Sequence, residues 1–416
     1  VTADLTWIDT ALKSARPQAM AALLRYFRSD LDRAEEAFQE ACLRALQTWP
    51  EKGPPRDSAA WLIFVGRNSG VDEARRKQKH VALPEDDSLQ DDSDVQDDMA
   101  ERLDGAQYRD DILRLLFICC HPDLPGTQQI ALALRIVSGL TVAEIASAFL
   151  VSESAMEQRI TRAKRRIGEA GTEFAAPGAA DRAERLGTVA AMLYLLFNEG
   201  YSASGGEVQI RLSLCEEAIR LARLLLRLFP AEPEIIGLTA LMLLQHARAA
   251  ARLDADGQIV LLDDQDRTRW DAGLIAEGLA LLDKAMRHAS PGPLQVQAAI
   301  AALHARAVTA TETDWVQIER LYATLERMQP SPVVALNRAV AVSKASGPAA
   351  ALEMIEPLAA PLANYFYFFG VKGWLLQELG HNEEARIAFD RAIALARTPA
   401  EAAHIRQHLD RLSKPS

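Results

Sequence analysis

The chain has 416 residues, 49% of them hydrophobic and 25% charged, with a formal net charge of −11. That length predicts two or three domains, and the composition allows each a sizeable core. The acid surplus excludes a protein that meets nucleic acid with its whole surface, yet leaves room for a local basic patch.

Ala and Leu dominate and β-branched clusters are few, so an all-α protein is expected. The longest apolar stretch, Val189–Phe197, is far too short to span a bilayer, and no signal peptide is recognisable. A soluble, cytoplasmic protein with no membrane partner is therefore expected. A start at Val1 points to a processed or trimmed terminus. Among the four cysteines, the string Cys119-Cys120-His121 invites a metal. No second pair stands at ligand spacing, so these read as small buried hydrophobes, and no metal or other cofactor is expected.

In chain order, residues 5–28 read as an amphipathic helix or two, interrupted at Pro17. Residues 30–49 form a stronger helix. Ala34, Ala37, Phe38, Ala41 and Ala45 make its apolar stripe, and Asp32, Glu36, Gln39, Glu40 and Leu43 lie on another face. Pro50–Ser58 is a loop on composition, with Lys52 and Arg56 in it. The next helix carries Trp61-Leu62, Arg67-Asn68, Asp72 and Arg75-Arg76-Lys77. From Val81 to Asp111 the composition breaks: between Pro84 and Asp98 stand eight Asp or Glu and no Lys or Arg, a run that repels itself and should be flexible.

Ile112–Ile136 is helical in pattern and should pack on the stretch that follows, 139–167, where two helices are joined by a short turn. Thr141 with Glu144 is a capping-box signature, and Ser152 is a good N-cap for the second helix. In that second helix Met156, Ile160, Ala163 and Ile167 share one face. Ser154, Gln158, Thr161, Arg162 and Arg165 share the other, flanked by Arg159, Lys164 and Arg166. Short polar residues near the N-terminus and cations behind them suit a helix entering a major groove. A solvated basic face on an ordinary helical pair is the bland alternative.

These strings, taken together, resemble a known family. Leu140-Thr141, Glu144-Ile145-Ala146 and Gln158-Arg159-Ile160-Thr161-Arg162-Ala163-Lys164 look like the C-terminal DNA-binding region (region 4) of extracytoplasmic-function (ECF) sigma factors. The resemblance implies that Ser154, Gln158, Arg159, Thr161, Arg162, Lys164 and Arg165 read the −35 promoter element. Asp32 to Glu40, followed by Leu43-Arg44-Ala45, is similar to the helix of sigma region 2 that docks on the clamp coiled coil of core RNA polymerase. It implies polar contacts from Asp32, Glu36, Gln39 and Glu40. The W-L…R-N…D…R-R pattern resembles the helix facing the −10 element, with Lys52, Arg56, Arg67, Asn68, Arg75 and Arg76 toward melted DNA. The family usually has Asp and an aliphatic residue at Glu36 and Ala37, and Gly at Leu150. Implied partners are core RNA polymerase and promoter DNA.

The resulting division is region 2 at 1–80, an acidic linker at 81–111, region 4 at 112–170, a linker at 171–183 and a helical tail at 184–416. In the tail, Gly373-Trp374-Leu375-Leu376, Leu379-Gly380, Ala385, Ala388-Phe389 and Ala392-Ile393 resemble a tetratricopeptide (TPR) repeat. Val334–Leu358 and Leu214–Leu244 look like weaker copies. A TPR-like α-solenoid that modulates activity is expected. Two segments break the repeat, Leu193–Ser204 and Asp254–Asp271. They read as a partner or ligand site, and an intramolecular contact with the sigma domains or a polymerase interface is preferred to a small-molecule site.

Two rival functions fit the sequence less well. A helix-turn-helix regulator that does not bind polymerase is disfavoured by the region-2-like strings. An all-α isoprenoid-synthase-type enzyme would need Asp91-Asp92-Ser93-Asp94 and Asp263-Asp264-Gln265-Asp266 on rigid facing helices, and neither run sits in such a place. No catalytic residues are expected.

Overall fold

The computed structural model describes residues 6–78, 106–149, 151–170, 179–201, 208–254, 260–289, 291–396 and 399–413. The side chains of 69–78 and 106–110, and of a few other residues at helix ends, are not among those described. The acidic linker of the sequence reading and Leu150 lie almost wholly outside the described residues, as do Asp91 to Asp94. The fold is all-α, as expected; among the described residues no strand element occurs. The chain divides into two compact units, Val1–Leu195 and Leu196–Ser416.

The first unit begins with α1 (Thr6–Tyr26), α2 (Leu31–Lys52) and α3 (Ser58–Gln78), which pack on one another. Pro17 does not interrupt α1, contrary to the sequence reading. It lies in a buried run that includes Ala15, Ala19, Met20 and Leu23, so packing outweighs the one backbone bond that proline removes. The loop likewise starts later than its composition predicts. Helix α2 runs through Pro50 to Lys52 and ends at Gly53, whose φ of 81° is left-handed. Buried Trp49 stacks against Trp7 and meets Trp61 edge-on, which holds that last turn in place. Asp30 caps α2 and Asp57 caps α3 through backbone N–H groups.

Next come α4 (Ala106–Cys119) and α5 (Gly126–Ala133), so the stretch helical in pattern is two helices, parted at 120–125. A π-helical turn, Leu134–Ser138, continues α5 and stops at Gly139. Then follow α6 (Val142–Ala148) and α7 (Glu153–Ala170). Helix α8 (Ala179–Tyr201) starts within this unit, where Arg185 lies over the Phe117 ring and Leu186, Val189 and Leu193 are buried.

The second unit is a succession of helices that pack largely on their sequence neighbours, except that Pro293–Arg306 packs chiefly on Pro233–His246. They are α9 (Val208–Leu228), α10 (Pro233–His246), α11 (Ala272–Met286), α12 (Pro293–Arg306), α13 (Trp315–Met328), α14 (Pro332–Ser346), α15 (Pro348–Ile355), α16 (Phe366–Glu378), α17 (Asn382–Leu395) and α18 (Pro399–Ser413). Helix α10 is buried from Ile235 to Leu244. The α16–α17 hairpin shows why the TPR-like string places a small residue where helices cross: a Cβ on Gly373 would stand 2.6 Å from the Phe389 ring.

Candidate nucleic-acid interface

The α6–α7 pair forms as its sequence requires. Thr141 Oγ1 accepts from the Glu144 N–H at 3.2 Å, and Glu144 Oε2 accepts from the Thr141 N–H at 2.7 Å, a complete capping box. Ser152 Oγ accepts from the Ala155 N–H at the start of α7. Met156, Ile160, Ala163 and Ile167 are buried, while Ser154, Gln158, Thr161, Arg162 and Arg165 are exposed and Arg159 is half-buried. Six of the seven side chains expected at the −35 element therefore reach solvent on one helix. Arg162 Nε bonds back to the Gln158 carbonyl, and Arg165 makes an exposed pair with Glu169 that holds it only weakly.

The seventh, Lys164, is placed otherwise. Its Nζ lies 2.7 Å from Asp32 Oδ1 and 2.9 Å from Glu35 Oε2 on α2. Burial pulls this ammonium down, but the bonds and charges of Asp32 and Glu35 together leave its pKa above the ordinary value. One expected DNA contact thus holds one expected polymerase contact. Glu36 and Gln39 are exposed and Glu40 half-buried; beside them the large side chains Leu43 and Leu46 are 56% and 49% exposed. A polar row edged by exposed leucines on one helix is suited to docking another protein.

Of the residues expected at the −10 element, Lys52, Arg56 and Asn68 are exposed. Arg67 is half-buried, with its guanidinium 4.9 Å from the Tyr26 ring centroid. Burial, with Arg25 adding to it, lowers its pKa. The side chains of Arg75 and Arg76 lie outside those described.

The centre of the unit is a cluster that sequence reasoning missed. Glu35 is buried, 5% exposed. Its carboxylate faces Lys164, Arg135 at 2.7 Å and Arg16 at 3.9 Å. The Arg135 contact is an ion pair without hydrogen-bond geometry, since Oε1 accepts no formed hydrogen bond among the described residues. Arg16 donates from Nε to the Ile136 carbonyl at 3.1 Å and from Nη2 to the Arg135 carbonyl at 3.0 Å, filling carbonyls of the π turn. Its guanidinium also lies 4.7 Å from the Phe38 ring centroid. Burial lowers the Arg16 pKa and Glu35 opposes it. One signal was available: Glu35 sits between Leu31 and Phe38 at helical spacing, a charge inside an apolar stripe. A cleft of about 1070 Å³ runs alongside, and Arg28, Arg135, Thr161 and Arg165 help to line it.

Residues 12–80 match the family model for sigma-70 region 2, residues 114–167 that for sigma-70 region 4, and residues 185–286 the family of unknown function DUF6596. An uncharacterized protein of Rhizobium meliloti (strain 1021) is 66% identical over 410 residues, covering 99% of this chain and 97% of its own length. Among the described residues no helix is long and apolar enough to cross a membrane.

Proposed function

The chain belongs to the sigma-70 factors, as an ECF-type member with a C-terminal helical extension, and from that premise we propose how its residues divide the work. Sigma-70 regions bind core RNA polymerase and promoter DNA and are not enzymes. Helix α2 docks on the clamp coiled coil of the polymerase through Asp32, Glu36, Gln39 and Glu40, with Leu43 and Leu46 beneath. Helix α7 reads the −35 element with Ser154 and Gln158 at base edges and Arg159, Thr161, Arg162 and Arg165 toward phosphates. Lys52, Arg56, Arg67, Asn68, Arg75 and Arg76 serve the −10 element. The helical tail modulates this activity.

The observation that carries the reading is the two-sided α7, with four residues buried and the polar set exposed behind a capped turn. Its test is promoter binding by the polymerase holoenzyme. Gln158→Ala should relax base preference at one or two −35 positions. Arg162→Ala should weaken all promoters alike and make the salt dependence shallower by about one ion. Equal, sequence-independent losses from both would leave α7 without a reading role.

The arrangement of the first unit is a closed one. Lys164, held by Asp32 and Glu35, is turned from DNA here, while the Asp32 side chain stays 78% exposed. Release of Lys164 to DNA then requires the Glu35 cluster to open, and the same opening bares the whole of α2 to polymerase.

A further inference from the structure

The second unit contains a cavity of about 620 Å³, within the range of small-molecule sites. Its lining comes from Tyr201 at the end of α8, residues 248–253 and 260–265, and helices α9, α13, α14, α16 and α18. The two segments that break the repeat pattern, around Tyr201 and around Leu261 to Gln265, meet here.

Its walls are apolar and aromatic, with Trp315 and Trp374 joined by Phe366 and Tyr367. Its charges are unbalanced: Arg248, Arg252, Lys344 and Arg411 against Asp263 and Glu401. The cations are fixed in place. Arg248 Nη2 donates to the Tyr201 hydroxyl at 2.7 Å, and Arg252 Nη1 donates to the Tyr201 carbonyl at 2.6 Å while stacking 3.6 Å from the Tyr201 centroid. Lys344 bonds Asp263 at 2.8 Å and stands 5.4 Å from the Trp374 centroid. A guanidinium has five N–H donors, so each arginine keeps several for another acceptor. Burial pushes the lining His408 down to about 4, so it adds no charge near neutral pH.

A second observation concerns Gln265, which lines the cavity and is 9% exposed. Its Nε2 donates to the Val260 carbonyl at 3.1 Å, which settles the orientation of the amide. Its Oε1 is buried with no hydrogen-bond partner among the described residues. A buried acceptor left empty is costly, and a small turn of the Gln265 side chain toward the cavity would let the N–H or O–H of a bound molecule relieve it.

We propose that this cavity binds a small organic acid with a flat apolar body, which stacks on Trp315 and Trp374 while its acid group meets Arg248, Arg252 and Lys344 and a donor on it meets Gln265. The ligand is a small molecule because the walls enclose a volume of that size. Charge-assisted bonds from fixed guanidinium groups give it preference for anions. The site is independent of whether the tail raises or lowers transcription.

The test uses the full-length protein and two fluorescent probes, 1-anilinonaphthalene-8-sulfonate and its uncharged analogue N-phenyl-1-naphthylamine. Energy transfer from tryptophan reports occupancy. The sulfonate should saturate at one per chain and bind at least about tenfold more tightly than the neutral probe. Arg252→Gln and Lys344→Gln should each weaken the sulfonate by about tenfold and leave the neutral probe unchanged. Val340→Trp, which fills the cavity, should remove both with an unaltered melting curve. If that variant melts early, Trp374→Leu gives the second reading, with both probes weakened. Several weak sites, equal affinity for the two probes, or binding untouched by Val340→Trp and Trp374→Leu would overturn the proposal.

Discussion

Replacing Glu35 by Gln removes the buried negative charge shared by three cations, leaving Lys164 its Asp32 partner and keeping the side chain's shape. Removing one partner of a fully buried ion pair costs roughly 3–5 kcal/mol. The Arg135 and Lys164 side chains keep 22% and 17% exposure, and Arg16 retains its two backbone acceptors. Solvent therefore takes up part of the loss, and about 2 kcal/mol is expected. Most of that falls on the contact between α2 and the Arg135 and Lys164 side chains, because Arg16 shares the α1–α3 bundle with Glu35 and is 3.9 Å away. The ratio of closed to open forms should then fall about thirtyfold. If only the open form binds polymerase, affinity for core enzyme rises by up to that factor. The assay is the distance between spin labels at Gln47→Cys and Arg166→Cys, together with core-polymerase affinity. The native thiols interfere little. Burial pushes Cys42 up to about 11 and Cys119 and Cys215 to about 12, and raises Cys120 well above its ordinary value. Unchanged label distances and unchanged core affinity in Glu35→Gln would refute the reasoning that this cluster holds the unit closed.

Two further outcomes are expected. Gly139→Ala should destabilise the first unit by about 2 kcal/mol, since φ is 78° there and a Cβ would stand 2.7 Å from Arg16 Cδ; chemical denaturation reads this, and a loss under about 0.5 kcal/mol would contradict the Arg16 clasp. His304 and His408 are pushed down to about 4, in each case mainly by burial, with nearby arginines adding to it and His404 also acting on His408. The unfolded chain takes up these protons near pH 6.5 and the folded one only near 4, so their contribution is complete above pH 6.5 and drains as pH falls toward 4. Melting of the second unit should lose up to about 2 kcal/mol per histidine between pH 7 and 5, and His304→Gln with His408→Gln should flatten that slope.

Much of the first unit could be read locally. The Thr141–Glu144 capping box, the Ser152 cap and the buried stripe of α7 depend on residues three or four apart, and sequence displays that spacing directly. The Gly373–Phe389 crossing was legible because a hairpin also brings near neighbours together. The Glu35 cluster was not, since Arg16, Arg135 and Lys164 come from 19 to 129 positions away and no period links them. For the same reason Lys164, placed by periodicity on a flank of the groove-facing side, turned out to reach α2. Pro17 and Pro50 misled because composition records the missing N–H and not the buried packing that compensates for it. The cavity of the second unit gathers residues from Tyr201 to Arg411, so only the departures from the repeat pattern pointed toward it.

The start of α8 matters for separating the tail. Leu186, Val189 and Leu193 are buried and belong to the first unit, so a cut that preserves its core must fall no earlier than Leu195, not near Gly171.

The central claim is that this chain directs core RNA polymerase to promoters through α2 and α7. In vitro transcription by full-length protein and core enzyme on a randomised promoter library tests it most directly. Specific initiation, with −35 preference altered by Gln158→Ala and activity lowered by Gln39→Ala through weaker core binding, is the predicted result. Folded protein that neither binds core enzyme nor yields transcripts, including as Glu35→Gln, would contradict it.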